Sequence, residues 1–416
     1  MFLLTLAAKN LTRYTRRTII TAVAIALGIA MYIIVDSMLA GAALESERNL
    51  IWYETGSLRV HRPSWWEDRL YLPLDQSIEN PQVVVDAARQ AGHQAVTRTR
   101  FSAEMILYSD EFGEDGYLPV TVTAITPDDA QVYPLIETLA EGRLLFEGEA
   151  EAILLGSWLA EDIGAKVGSL VTITAQGKEG FLQAFDAEIV GLLNCPNPNV
   201  NRTLVVMDSA AVDQYLGLEG AVSSVDIALG RGWNLERAKE DLQQRLDALD
   251  DDLLVLSWKD LAPDYLAIMS SKQGGTALIL LLVFAIAAVG ISNTMMMAMY
   301  ERSAEIGMMR SMGMSERALY RCFFYEAGGI GLLGSLLGLL LGALANIYMV
   351  EVGIDLSFML RDLDMGFRIQ SIMRGAWQLS TFTSALAGGT LLSVASAFFP
   401  IRRALKLSIP LALARQ

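Results

Sequence analysis

Histidine and cysteine are almost absent from this chain: two of each occur in 416 residues. Cys195 and Cys322 stand far apart and show no zinc-ligand spacing, so neither a disulfide framework nor a structural metal site is expected. His61 and His93 stand alone and read as surface or loop residues. No phosphate-binding loop of the G-x-x-x-x-G-K-[ST] kind occurs, nor H-E-x-x-H, nor a G-x-S-x-G elbow. These absences exclude the hydrolases that depend on such signatures. They also mean that any ATP and Mg used with this protein must be bound by a separate polypeptide. No cofactor, metal or nucleic-acid partner is expected, and the chain by itself is not expected to be an enzyme.

What the sequence does have is apolar length. A helix needs about 20 residues to cross a bilayer, and four runs meet that length: Thr18–Ala42, Thr276–Met299, Phe323–Val350 and Thr381–Phe399. The expected fold is a membrane protein of four transmembrane α-helices, with a large α/β extracytoplasmic domain, residues 43–272, inserted between the first and second. The first run follows a basic stretch but is too long for a secretory signal and lacks a small-residue cleavage site, so it reads as an uncleaved anchor.

The net charge of −15 is unevenly spread. Residues 43–272 hold 17 Lys/Arg against 38 Asp/Glu. Basic groups collect instead in residues 1–17 (Lys9, Arg13, Arg16, Arg17), in 300–322, where four Arg face three Glu, and in 400–416 (Arg402, Arg403, Lys406, Arg415). Lys and Arg gather on cytoplasmic flanks. Both termini and the 300–322 loop are therefore expected in the cytoplasm of a multi-pass protein, and the insert and the short 351–380 loop outside.

Within the insert, period-two patterns predict strands at 117–126, 169–176, 186–193, 203–208 and 222–230. Helical periodicity marks 80–92, 157–168, 209–217 and 234–253, the last with Asn234 as N-cap and an apolar stripe of Leu235, Ala238, Leu242, Leu246 and Leu249. "AQGKEGFLQAF" (175–185) has the glycine spacing of a hairpin tip, and the Pro/Asn-rich "NCPNPNVNRT" (194–203) is expected to be an exposed loop.

Three features of the apolar part single out residues. In the third run Gly334, Gly338 and Gly342 recur every four residues with Gly331 and Ser335 beside them, which clears one helix stripe for close approach of another helix. At this point that helix could belong to the same chain or to a second subunit. Asp36 and Glu326 lie inside spans, near their ends, where acids are candidates for a functional role or for simple snorkelling. Finally, "ERSAEIGMMRSMGMSERAL" (301–319) is a charged segment of helical length between two spans, in which Ile306, Met309, Arg310 and Gly313 can share one side and Met308 and Met312 add adaptable apolar surface. A solvated loop has no need of such a stripe; a docking helix has.

That loop carries a resemblance. Arg302, Glu305, Ile306, Gly307, Arg310 and Gly313 match the R/K-x-x-E-I-G-x-x-R-x-x-G pattern of the permease family that includes the MacB-type, FtsX-type and lipoprotein-releasing ABC transporter subunits. "AILLGSWLAEDIGAKVGSLVTI" (152–173) and the ending "FFPIRRALKLSIPLALAR" (398–415) are similar too, through Pro400, Ala404 and, one residue late, Pro410. The resemblance implies a periplasmic outer domain, a cell inner membrane location and a second permease subunit, homo- or heterodimeric. It also implies a cytoplasmic ABC ATPase dimer docked on the loop as a coupling helix, whose motion passes to the outer domain. The layout is most similar to the lipoprotein-releasing (LolC/LolE-type) subunits, which implies lipoprotein cargo, contact with membrane lipids and a periplasmic carrier. However, the segment at 175–185 is shorter than the carrier-recruiting hook of that family. A MacB-like exporter of peptide, drug or toxin and an FtsX-like regulator of a cell-wall hydrolase are the alternatives.

Overall fold

The computed structural model describes residues 2–13, 15–108, 116–230, 232–249, 252–301, 303–355 and 372–405. Arg302, most of the 351–380 loop and Lys406, Pro410 and Arg415 lie outside them. The chain divides into a helical unit, from residues 1–44, 268–364 and 371–416, and an outer unit, chiefly residues 45–267.

The helical unit is built from an N-terminal helix, Phe2–Arg13, and four long helices: Thr15–Leu50, Pro263–Glu301, Glu316–Glu351 and Leu379–Leu405. A short helix, Ser303–Ser311, lies between the second and third. Among the described residues three helices are long and apolar enough to cross a membrane, Thr18–Thr55, Glu316–Glu351 and Leu379–Arg403, where the sequence predicts four. The remaining run, Thr276–Met299, falls within Pro263–Glu301. The third long helix is two-faced. Gly331, Gly334, Ser335, Gly338, Gly342 and Asn346 are buried, whereas Leu333, Leu336, Leu340 and Leu344 are exposed. Such a leucine face is costly in water and compatible with lipid or another apolar partner.

Among its described residues the outer unit has ten strands: β1 (Leu58–His61), β2 (Gln94–Leu107), β3 (Gly116–Ile125), β4 (Leu139–Gly142), β5 (Ala152–Gly156), β6 (Leu170–Gln176), β7 (Leu182–Leu193), β8 (Leu204–Asp208), β9 (Ser224–Ala228) and β10 (Leu254–Ser257). Two substructures share the 14-residue β2. Its first half pairs with β9, and the order β10-β1-β9-β2 is antiparallel throughout. Helices Pro81–Gln90 and Leu235–Asp247 follow β1 and β9, so the layer is a split β-α-β arrangement of the ferredoxin-like kind. The helices press Val84, Val85, Ala88, Ala238, Leu242 and Leu246 onto Leu58, Val60, Val225, Ile227 and Val255.

The second half of β2 enters a closed ring, β2-β3-β8-β5-β7-β6 and back to β2, in which β3/β8 and β5/β7 are parallel and the other pairs antiparallel. Alternate side chains, among them Phe101, Met105, Val122, Ile153, Ile173, Ile189 and Val205, form one buried cluster that fills this six-stranded barrel. Closure also removes the unpaired edges that an open sheet would present. The barrel is thus an insertion between the second and third strands of the layer.

The five predicted strands and four predicted helices of the insert are all present, with ends shifted by a few residues. Asn234 accepts from the Arg237 amide as the predicted N-cap, but the helix stops at Asp247 and Leu249 is exposed. Gly177 N donates to Phe181 O at 2.9 Å in the predicted hairpin tip. Two expectations are corrected. Residues 194–203 are not an exposed loop: Cys195 is buried, and Asn201 is fully buried with its side chain tying Cys195 N, Ser157 and Asn194 together. The histidines are not on the surface. His61 stacks on Trp65 at 4.0 Å and its Nδ1–H donates to Ser223 O at 2.8 Å, and His93 meets the edge of Trp233 at 4.8 Å. Burial pushes His61 down to about 3, aided by the nearby Arg59 charge. Neither histidine lies in a long apolar run, so nothing in the local pattern announces that the fold covers it.

On the layer face away from its helices lies a buried charged network, absent from the sequence reading. Arg59 holds Asp226 with two hydrogen bonds, 2.5 and 3.0 Å. Arg98 holds Asp129 in the same way, 2.8 and 2.6 Å. Tyr133 donates to Asp226 at 2.6 Å, and the Arg98 guanidinium sits 3.5 Å from the Tyr133 ring centroid. Alternation along β2 places Arg98 and Arg100 on the face opposite Phe101, which explains how charges end up inside: that face is covered by the 51–55 turn and the 127–135 segment rather than by water.

Candidate functional site

The residues singled out by sequence meet in the helical unit. The 300–322 loop folds as helix Ser303–Ser311 and a reversal into the third long helix. Gly313 makes the reversal. Its φ is +92°, Met314 N donates to Met309 O at 3.0 Å and Gly313 N to Arg310 O at 3.1 Å, the paired bonds of a left-handed helix cap that a side chain at Gly313 would strain. Ser315 then caps the next helix by accepting from Ala318 N.

The loop helix turns part of the expected stripe inward. Ile306 is 3% exposed and lies in one buried cluster with Met295, Met299, Leu319, Phe323 and Ile401, and Met309 packs partly against it. Gly307 is buried as well. Of the four residues expected to share one side, Ile306 is thus buried, Met309 and Arg310 are half-buried and Gly313 is exposed. The helix ends at Ser311, before Gly313, and apolar Ile306 gains more by joining the core of the long helices than by facing water. The exposed apolar side chains of this segment are Met308 and Met312. Charges tie its flanks: Glu305 lies 3.7 Å from Arg13 of the N-terminal helix, and Arg310 lies 3.3 Å from Glu316.

Glu326 is buried in the third long helix and accepts from the Asn10 side-chain amide at 3.3 Å. Gly329, one turn on, lies against Leu11 of the same N-terminal helix. Residues 2–13 thus reach a buried acid and the loop helix together, which their basic composition does not announce.

The glycine stripe meets helices of its own chain. A Cβ on Gly334 would come 2.8 Å from Ile25 Cβ, one on Gly338 2.8 Å from Ala26 O, and one on Gly342 2.6 Å from Ile33 Cδ1, all on the first long helix. Gly331 lies against Ser393 of the fourth, whose hydroxyl donates to Ala327 O at 2.8 Å. Ser335 Oγ and Ile29 together occupy the space a side chain at Gly389 would need. The first, third and fourth long helices are therefore in near-backbone contact along this stripe.

At the far end of the same helices sits a polar knot. Thr381 donates to Asp36, Ser37 to the side-chain oxygen of Asn346, and Ala376 N to Ser37 O at 3.0 Å. Asp36 is thus bonded to a neighbouring helix rather than left in an apolar phase. It is not brought together with Glu326: the adjacent Ser37 meets Asn346, and Glu326 lies twenty residues before Asn346 in the same helix, at the loop end.

Comparison with known proteins matches two segments of the chain. Residues 18–245 match the MacB-like periplasmic core domain and residues 277–409 the FtsX-like permease C-terminal domain. An uncharacterized ABC transporter permease of Methanocaldococcus jannaschii is 27% identical over 279 residues, 65% of this chain and 64% of that protein. The lipoprotein-releasing system transmembrane protein LolC of Neisseria meningitidis is 27% identical over 207 residues, 48% of this chain and 49% of its own length. The macrolide export ATP-binding/permease protein MacB of Hahella chejuensis is 28% identical over 157 residues, 36% of this chain and 21% of its own. The match therefore spans less than two thirds of each of these relatives. A solved structure of the periplasmic region of MacB from Actinobacillus actinomycetemcomitans is a distant likeness, with TM-score 0.36, 15% identity and coverage of 54% of this chain and 97% of that one. With the first profile covering more than half of the residues and the second most of the remainder, the chain belongs to the MacB/FtsX-like family of ABC transporter permeases.

Proposed function

We propose that this permease works as a mechanical transmitter. A separate ABC ATPase dimer pushes on the 300–322 loop, the long helices move as one body, and the motion reaches the outer unit of a paired permease complex. Pro263–Glu301 also counts as a span in this reading, the second of four in chain order, and the basic segments put both termini and the loop in the cytoplasm. The observation that carries it is Ile306, 3% exposed within the core of the long helices, because a push on a helix rooted in that core cannot be absorbed by the loop alone. Met308 and Met312 are the apolar surface left for the ATPase. Mild-detergent purification of the full chain from its native membrane should bring down an ATP-binding protein, and Met308→Glu with Met312→Glu should release it. Retention of that protein at the wild-type level would count against the docking assignment.

For cargo, two readings stand level. Similarity to LolC supports release of lipoproteins from the membrane, and the MacB-like outer domain supports export of a peptide, drug or toxin. A photo-crosslinker at exposed Leu44 of the full chain separates them. Capture of an acylated protein supports the first, and capture of a non-acylated peptide or small molecule the second.

A further inference from the structure

The buried network of the outer unit is unbalanced. Three guanidiniums, Arg59, Arg98 and Arg100, face two carboxylates, Asp226 and Asp129. Arg59 and Arg98 each take one carboxylate with two hydrogen bonds, and Asp226 also accepts from Tyr133 at 2.6 Å and Ser224 at 3.1 Å. Arg100 reaches Asp226 only at 3.5 Å and donates instead to the Glu54 carbonyl at 2.7 Å. Burial and the adjacent Arg59 charge push Arg100 down to about 10, as expected for a surplus cation in a desolvated setting.

Arg98 and Arg100 also line a cavity of about 450 Å³. Thr121 and Thr123 of β3 line it beside them, and Thr123 is the cross-strand partner of Arg100. Arg202 stands at its edge, half-exposed and only 3.7 Å from Asp162, a loose surface pair. Among the described residues one acid faces the same space, Glu54, whose carboxylate accepts from the Asn197 amide at 3.1 Å. Guanidinium forks and hydroxyls converging on one space are the donor set that tetrahedral oxyanions select.

We propose that this cavity binds a phosphate group, with Arg100 as its charge partner, Thr121 and Thr123 as hydroxyl donors and Arg202 closing the mouth. The proposal stands apart from the transmitter reading, since it concerns only residues of the outer unit. Inorganic phosphate and a phospholipid headgroup present the same chemistry. Titration calorimetry on the full chain in phosphate-free detergent, with sodium phosphate in one arm and water-soluble dihexanoyl phosphatidate in the other, tests it against sodium chloride at equal ionic strength. Saturable binding of at least one probe is expected, weakened about tenfold by Arg100→Gln and severalfold by the near-isosteric pair Thr121→Val with Thr123→Val. Binding of phosphatidate alone assigns the site to a headgroup, and equal binding assigns it to free phosphate. Because Arg100→Gln can disturb folding, the decisive variants are the threonine pair and the exposed Arg202→Gln, with unchanged melting as the control. Heats no larger than the chloride control, or wild-type binding in both of those variants, would overturn the proposal.

Discussion

Gly338 of the third long helix lies against Ala26 of the first so closely that a Cβ at position 338 would stand 2.8 Å from the Ala26 carbonyl oxygen. Backbone oxygens cannot rotate away as a side chain can, so Gly338→Ala must separate the helices. We expect a loss of about 1–3 kcal/mol, as for overpacked cores. Gly28→Ala, where an added Cβ meets nothing within 4 Å, should be neutral. Thermal unfolding of the two variants in detergent compares them directly, and equal melting would mean that the helices do not hold this contact in the membrane.

Ile306 and Met312 occupy one short segment and should behave oppositely. Ile306→Ala opens a hole among Met299, Leu319 and Phe323 and should cost about 2–5 kcal/mol. Met312→Glu, at a position 78% exposed, should leave melting unchanged. If Ile306→Ala melts like the wild type, the loop helix is not seated in that core.

Removing the carboxylate of Asp226 strands Arg59 and Arg100 inside the outer unit. Asp226→Asn should destabilise by about 3–5 kcal/mol, the cost of breaking one side of a buried ion pair. Urea unfolding followed by tryptophan fluorescence reports it, and a change below about 1 kcal/mol would place the network in contact with solvent.

Acid should destabilise the outer unit in two steps. His61 is held neutral, pushed down to about 3 from its ordinary 6.5, so the unfolded chain binds a proton that the folded chain refuses. Its contribution is complete above pH 6.5 and is lost as the pH falls toward 3. The carboxyl of Asp226 is lowered by Arg59 and Arg100 against the opposing effect of burial, so its contribution is present above about pH 4 and fades below. Stability measured between pH 7 and 5 should therefore fall in the wild type and stay flatter in His61→Gln. Identical slopes would assign the titration to other groups.

Much of the architecture was legible in one dimension, because its causes are local. Long apolar runs exist only where lipid or a helix bundle receives them, so the helical segments and the inserted domain could be bounded by counting. Period-two and helical patterns located the β3, β6, β7, β8 and β9 strands and the 81–90 and 235–247 helices. They missed β1, β2, β4, β5 and β10. The 94–107 strand is the clearest reason: it carries Arg98 and Arg100, since one of its faces packs on a polar network rather than on oil, and Glu104 is exposed. A charged side chain inside a protein looks, in sequence, like one in water.

The loop shows the same limit at higher resolution. Its residue spacing marked a helix that matters, but which side of that helix faces outward depends on Met299, Phe323 and Ile401, which lie on three other helices. Membrane character, the acidic insert, the absence of the usual nucleotide and metal motifs, and the small-residue stripe all follow from residue order alone, because composition and spacing act over one or two turns. Only the tertiary structure decided that the stripe meets helices of the same chain, that Ile306 points into the core, that a barrel closes within the ferredoxin-like layer, and that three arginines share two carboxylates. Those outcomes turn on which distant surfaces come within a few ångströms of each other, and burial, not local pattern, sets their energies.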